Sequence, residues 1–267
     1  MVYLSLKNYM KDTFYKFQGT GNDFVMIDNR ENQFSKDDTA LIARICNRRF
    51  GVGADGLILL EEDEQTDFKM VYFNADGKVG SMCGNGGRCI VAFAHLLGLI
   101  KNKAEFSAVD GKHEASIEGD VISLKMQDVH EIRKKSNAVY MNTGSPHHVQ
   151  LVNGLKTFNV FQEGARLRYG VYGEKGSNIN FVEINQSEGF DIRTYERGVE
   201  DETLSCGTGV TAVALGMHHM GKTKEHAIAI KALGGDLEVS FEERNGVYSN
   251  IYLKGEAKQV FKGEITW

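Results

Sequence analysis

Residues 81–89 read Ser81-Met82-Cys83-Gly84-Asn85-Gly86-Gly87-Arg88-Cys89, and an apolar run over residues 90–100 follows at once. A polar, glycine-rich turn leading into an apolar run marks the start of a buried helix. Cys83 falls at or just before the first helical turn. Four backbone N–H groups there lack intrahelical partners, and the positive end of the helix dipole lies close by. A thiol in that place is expected to have a lowered pKa. The same N–H groups suit a carboxylate. One short stretch therefore offers an acid–base group beside an anion site.

The pattern recurs. Cys206-Gly207-Thr208-Gly209 repeats Cys-Gly-x-Gly 123 residues after Cys83, and Ala and Val residues suited to a buried helix follow it. The same offset carries Thr20-Gly21 onto Thr143-Gly144, Gly53 onto Gly176 and Tyr72 onto Tyr195. Four gapless coincidences argue for an internal duplication. The chain then divides into two similar domains, 12–130 and 131–257, with the charged connector 129–136 at the boundary. Each domain presents one cysteine on a helix N-terminus.

A chain of 267 residues can bury a core in each of two such domains. Its 31 basic and 36 acidic residues give a net charge of −5, which argues against nucleic acid as a partner. The longest apolar run is shorter than the roughly 20 residues that span a bilayer, so no membrane partner is expected. Residues 1–11 lack a secretory pattern and read as a short extension before the first strand. Cys46, Cys83, Cys89 and Cys206 make no disulfide framework, and the expected location is cytoplasmic. Cys83 and Cys89 lack metal-ligand spacing, and His147-His148 and His218-His219 are adjacent pairs whose side chains diverge. Neither a metal nor an organic cofactor is expected.

The remaining segments are read in order. Phe14-Tyr15-Lys16-Phe17 and Phe24-Val25-Met26-Ile27 form strands around the turn Gly19–Asp23. Residues 35–49 read as a helix with Ser35 as N-cap and Leu41, Ile42, Ile45 and Cys46 on its apolar face. Cys46 and Cys89 are expected to be buried and inert. The Gly51–Gly56 turn leads into the strand Leu57-Ile58-Leu59-Leu60, which excludes a dinucleotide fingerprint. Lys69–Phe73 is a strand running into the turn Asn74-Ala75-Asp76-Gly77. Pro146, the only proline, holds Ser145 and His147 in a defined turn.

Two cysteines on matching helices can face each other across a cleft. One thiolate would remove a proton from carbon while the other thiol delivers one to the opposite face, inverting a stereocentre without a cofactor. An α-amino carboxylate suits this, because both helix N-termini can bind the carboxylate and stabilise its enolate-like transition state.

The motifs Gly21-Asn22-Asp23-Phe24, Phe73-Asn74-Ala75-Asp76-Gly77, Met82–Cys89, Gly144-Ser145-Pro146-His147 and Tyr195-Glu196-Arg197-Gly198 through Cys206-Gly207-Thr208-Gly209 resemble diaminopimelate epimerase over nearly the whole chain. Proline racemases share the two-cysteine plan but carry His where this chain has Asn85, and phenazine-pathway isomerase relatives lack the pair. The resemblance implies an α/β fold of the α+β type. Its two pseudo-symmetric domains are each a mostly antiparallel sheet curled around a central helix, and a last strand, about 258–267, returns to the first domain. It implies interconversion of LL- and meso-diaminopimelate in lysine and peptidoglycan precursor synthesis. It implies Cys83 and Cys206 as the acid–base pair, assisted by His147 and Glu196. Gly84, Asn85, Gly207 and Thr208 would hold the reacting carboxylate. Asn22, Asn74, Asn178, Glu196 and Arg197 would contact the rest of the substrate, Arg197 as a carboxylate fork. Gly56 and Ser145 depart from some members, which have Gln and Asn there. The alternatives are a racemase of the proline type, a thiol redox protein, and an amino-acid-binding protein. The sequence does not give the oligomeric state, a homodimer being one arrangement open to it.

Overall fold

The protein is described here from a computed structural model covering residues 11–186 and 189–266. Residues 1–10, most of the expected extension, lie outside the described residues, as does Trp267. The offset of 123 governs the architecture. The first half contains β1 (Lys11–Gly19), β2 (Asn22–Asp28), α1 (Thr39–Cys46), β3 (Gly56–Glu61), β4 (Phe68–Asn74), α2 (Gly84–Leu96), β5 (Lys103–Ala108), β6 (Gly111–Glu118) and β7 (Val121–Lys125). After β8 (Arg133–Lys134) the same order returns as β9 (Ala138–Asn142), β10 (Pro146–Leu151), α3 (Val160–Gly170), β11 (Asn178–Ile184) and β12 (Phe190–Glu196). A short added strand β13 (Asp201–Thr203) precedes α4 (Gly207–His219), β14 (Ala227–Ala232), β15 (Gly235–Arg244) and β16 (Val247–Glu256). The two cysteine helices match end for end at that offset.

Strand pairing repeats as well. β2 runs parallel to β3 and β10 to β11, each pair joined through a crossover helix, α1 or α3. β3–β4 and β11–β12 are antiparallel, β4–β5 and β12–β14 parallel, and antiparallel hairpins follow in both halves. The halves are joined where β7 pairs antiparallel with β16, setting Leu124 opposite Leu253. β17 (Lys258–Thr266) pairs antiparallel with β1, where Phe14 stands opposite Gly263.

Each sheet wraps its own helix. Every residue of α2 from Gly84 to Ala94 is buried, and so is α4 from Gly209 to Met217, because a helix apolar around most of its surface has to lie inside a core, Asn85, Arg88 and Thr211 being the buried polar exceptions. Ile90, Val91 and Phe93 pack on Phe24, Ile58, Leu60, Phe106 and Leu124. Val210, Val213, Leu215 and Met217 pack on Val139, Val149, Val182, Phe190 and Val239. Full burial of one such side chain stabilises by about 1.5–3 kcal/mol, so these two clusters fix where the helix N-termini point. The fold is the mixed α/β, mostly antiparallel, pseudo-symmetric class expected from the sequence.

One helix differs from its reading. α1 spans Thr39–Cys46 rather than 35–49, and its N-cap is Asp38, whose carboxylate accepts from the Leu41 N–H at 2.8 Å. At the other end the Asn47 side chain accepts from the N–H groups of Arg49 and Phe50, and Gly53 turns at φ +81°. Those local bonds end the helix before Arg48. The 129–136 connector is tied down by Val129, bonded to Tyr248, and by β8 against β9. Cys46 and Cys89 are buried, as their apolar neighbours suggest.

Candidate functional site

The first residues of α2 and α4 meet. A Cβ at Gly207 would stand 3.3 Å from the Gly84 Cα and 3.0 Å from Leu253 Cδ2, so the two backbones approach as only glycine allows. Cys83 and Cys206 are the N-cap residues, both extended, and neither side chain caps its own helix. Their carbonyls accept the first helical bonds, from the N–H of Gly87 at 2.7 Å and of Val210 at 2.9 Å. The N–H groups of Gly86 and Asn85 favour the Cys83 thiolate, and that of Gly209 the Cys206 thiolate, without forming a cap to either sulfur. The abutting helix ends thus set both thiols and two sets of free N–H groups around one locus.

The lowered thiol pKa expected from the sequence is overturned. Burial pushes the Cys83 thiol up, and pushes Cys206 up to about 12. Desolvation of a thiolate here outweighs the N–H donors, and the Glu196 carboxylate opposes ionisation of both sulfurs. Both thiols therefore hold their protons at neutral pH unless a proton acceptor or further positive charge acts on them.

Glu196 ends β12 and accepts from the Thr203 hydroxyl at 2.9 Å. Burial raises its pKa, and Asp55 from the opposite half adds to this. Its charge acts on Cys83, Cys206 and the Tyr72 phenol alike, which places it between the halves.

His147 is fully buried and reaches Cys206 through Thr208. Its Nδ1 accepts from Asn180 Nδ2 at 3.1 Å, so the hydrogen-bond network assigns the proton to Nε2. Nε2 donates to Thr208 Oγ1 at 2.8 Å, leaving the hydroxyl to donate to Cys206 Sγ at 3.4 Å. Burial, with a smaller push from Arg197, lowers the imidazole pKa to about 3, so it is neutral. Asn178 donates to Ser145 Oγ at 3.0 Å and accepts from the Arg197 N–H at 2.8 Å. Ser145 thus anchors Asn178. Arg197 itself is exposed, and its guanidinium donates to the Lys175 carbonyl at 2.8 Å.

On the first half, the buried Asn85 amide donates to Asn22 Oδ1 and to the Ser205 carbonyl beside Cys206, 3.2 Å away. Asn22 donates to Asp55 at 3.0 Å. Arg48 bridges Asp55 and Asp23, and Lys16 pairs with Asp23 at 2.7 Å. Burial alone would raise the Asp23 pKa, but Arg48 and Lys16 hold it well below the usual carboxylate range. Asn74 is the one expected residue outside this connected set; it ends β4 with its side chain exposed, and its carbonyl accepts from the Gly77 N–H at 2.9 Å. A Cβ at Gly56 would run into the Phe73 carbonyl and the Tyr72 ring, so glycine there makes room for Tyr72.

The structure adds Asp55, Thr20, Asn180, Thr203 and Arg88, which sequence reasoning gave no role. Thr20 carried a signal: it matches Thr143 in the repeat, and Thr143 Oγ1 donates to the Thr208 carbonyl at 2.7 Å while Thr20 bonds Asn85. The others are isolated polar residues, Asp55, Asn180 and Thr203 in strands and a turn and Arg88 inside α2, whose partners are far away in sequence or become apparent only in the folded chain.

The family model described as diaminopimelate epimerase matches residues 14–130 and 139–260. The chain belongs to the diaminopimelate epimerase family. A family relative from Flavobacterium psychrophilum, a diaminopimelate epimerase, is 59% identical over 253 residues, covering 94% of this chain and 99% of its own. One from Chlorobaculum tepidum is 43% identical, covering 93% and 99%. Among solved structures, a phenazine biosynthesis protein of Bacillus anthracis superposes with a TM-score of 0.78 at 13% identity, over 96% of this chain and 99% of that one. A hydroxyproline epimerase of Agrobacterium vitis gives 0.68 at 13% identity, over 96% and 92%. The family fold is thus shared by proteins of different named activities, so function rests on the site and not on the fold.

Proposed function

We propose that this member of the diaminopimelate epimerase family interconverts LL-2,6-diaminopimelate and meso-diaminopimelate by two-base proton transfer between Cys83 and Cys206, in lysine and peptidoglycan precursor synthesis in the cytoplasm. The observation that carries the reading is the contact of Gly84 with Gly207, which brings two N-cap thiols to one locus. The free N–H groups behind each thiol suit a carboxylate that gains negative charge as the α-proton leaves. One thiol loses its proton while the other donates its own to the opposite face of the carbon. Glu196 acts on both sulfurs, and His147 acts on Cys206 through the Thr208 hydroxyl. Asn74, Asn178 and Glu196 read the distal ammonium, Asn22 contacts the substrate, and the exposed Arg197 guanidinium exchanges its bond to the Lys175 carbonyl for the distal carboxylate. The domain spans 12–130 and 131–257, with β17 completing the first, belong to the same reading, and pairing into a homodimer is compatible with it.

The test is turnover of LL-diaminopimelate in deuterated water beside proline, glutamate and lysine. Deuterium should enter the α-carbon of diaminopimelate and mark the epimer formed. A site built for two polar ends rejects substrates that lack one of them. Comparable kcat/KM on any of the other three would overturn the substrate assignment, and efficient proline turnover would favour a racemase of that type.

A further inference from the structure

Arg88 lies one turn along α2 from Gly84 and is 0% exposed. Its guanidinium curls back to the helix N-terminus. Nη1 donates to the Gly84 carbonyl at 3.3 Å, and Nη2 donates to Thr20 Oγ1 at 2.6 Å and to Asn85 Oδ1 at 2.9 Å. Nε has no hydrogen-bond partner. Among the described residues no carboxylate pairs with it; the groups that feel its charge are the Cys83 and Cys89 thiols. All of its acceptors are neutral oxygens. Glycines line its slot: a Cβ at Gly19 would lie 3.6 Å from Nη2, and one at Gly255 3.4 Å from Nε.

A buried cation without a counter-ion is strongly unfavourable, and burial accordingly lowers the Arg88 pKa. Arg nonetheless stays charged at neutral pH. The second half shows that the fold does not require such a charge. The residue 123 positions on is Thr211, also fully buried, whose hydroxyl donates to the Gly207 carbonyl at 3.0 Å. The repeat keeps the bond to the first carbonyl of each helix, but only α2 carries a charge there.

We infer that Arg88 is a positioning residue for the first half-site: it orients Asn85 and supplies the positive charge that offsets the anion formed at Cys83 and at the carboxylate held by the N-terminus of α2. This rests on the reading of Cys83 as an acid–base group. By holding Asn85 Oδ1, Arg88 also turns the Asn85 amide toward Asn22 and the Ser205 carbonyl, stitching the two helix ends together. The two half-sites are then electrostatically unequal, Cys83 being the thiol that ionises with help from a fixed charge.

The titratable or charged groups acting on Cys83 are Glu196 at the end of β12, Tyr72 on β4, Cys206 at the head of α4, and Cys89 and Arg88 on α2. The test is the pH dependence of iodoacetamide alkylation, followed at the separate Cys83 and Cys206 peptides by mass spectrometry. In Arg88→Met the Cys83 midpoint should rise by about one pH unit or more, an alkylation rate about tenfold lower at fixed pH, while Cys206 moves little. Arg88→Lys should keep Cys83 close to the wild-type profile. Where Arg88→Met fails to fold, Arg88→Gln, which keeps donors for Thr20 and Gly84, takes its place. An unmoved Cys83 profile in the uncharged variant, an equal shift in Arg88→Lys, or an equal shift of both thiols would overturn the inference. Alkylation needs no substrate, so this result is independent of whether diaminopimelate is turned over.

Discussion

His147 and Phe24 occupy the same place in the two halves, 123 residues apart. A Cβ on Gly209 would lie 3.4 Å from His147 Cε1, and one on Gly86 would lie 3.7 Å from Phe24 Cζ. The ring thus packs against the same turn of each cysteine helix, as core in the first half and as the start of a hydrogen-bonded chain in the second. Asn85 and Thr208 diverge in the same way. Thr208 links His147 to Cys206, whereas Asn85 links Arg88 to Asn22. The backbone device is common because the meeting of two helix N-termini permits little else. The side chains behind it have specialised, so two thiols in similar backbone settings are supported by a neutral imidazole on one side and a buried guanidinium on the other.

The largest effect should come from removing either thiol. Cys83→Ala and Cys206→Ala should each lower epimerisation by about 10²–10⁴-fold in both directions, as for loss of a direct acid–base group. Near-normal turnover by either variant would break the pairing of the two half-sites.

The next test copies one half onto the other. His147→Phe installs the residue of the first half and cuts the chain to Cys206, with an expected loss of about 10–100-fold, less than for a group that meets the proton itself. Alkylation of Cys206 should change and that of Cys83 should not; equal changes would show that His147 serves the site as a whole.

The pH profile follows from the raised thiols. In the two-thiol reading turnover needs one thiolate and one thiol, and burial raises the pKa of both thiols above their ordinary value. The thiolate fraction grows with pH, so kcat/KM should climb from pH 6 to pH 9, and a profile falling over that range would contradict the two-thiol reading. Stability has its own limb. The folded His147 pKa, about 3, lies below its ordinary 6.5, so the unfolded chain takes up a proton first as the pH falls. Its contribution is complete above 6.5 and is lost between 6.5 and 3, which acid unfolding monitored by circular dichroism would follow.

Backbone crowding should also differ between the halves. A Cβ at Gly209 would come within 2.6 Å of Asn180 Oδ1, whereas at Gly86 the nearest atom is Ile58 Cδ1 at 3.1 Å, the end of a movable side chain. Gly209→Ala should destabilise by about 1–3 kcal/mol and Gly86→Ala by less, read as the difference in thermal midpoint. The smallest effects belong to the other cysteines. Cys46→Ala and Cys89→Ala should leave turnover intact at a packing cost of about 1 kcal/mol.

Much of this was legible in the sequence because it is local or periodic. The Cys-Gly-x-Gly turns before apolar runs specify N-caps of buried helices, and the repeat at 123 residues carries nearly the whole strand order. Short-range competition was harder to read: Asp38 and Asn47 form side-chain bonds that shorten α1, and several residues nearby could have done so. The thiol pKa was misread for a different reason. A helix N-terminus is a local feature that favours the thiolate, but desolvation depends on every group packed around the sulfur, and Glu196 reaches both thiols only when the halves close. Asp55, Asn180 and Arg88 were silent for the same reason. Sequence alone determined that this chain carries two cysteine-headed helices in duplicated sheets. The tertiary structure decided that these helices abut at Gly84 and Gly207, and that a buried guanidinium stands behind one thiol and a neutral imidazole behind the other, because burial and electrostatics are properties of the assembled surroundings and not of any stretch of chain.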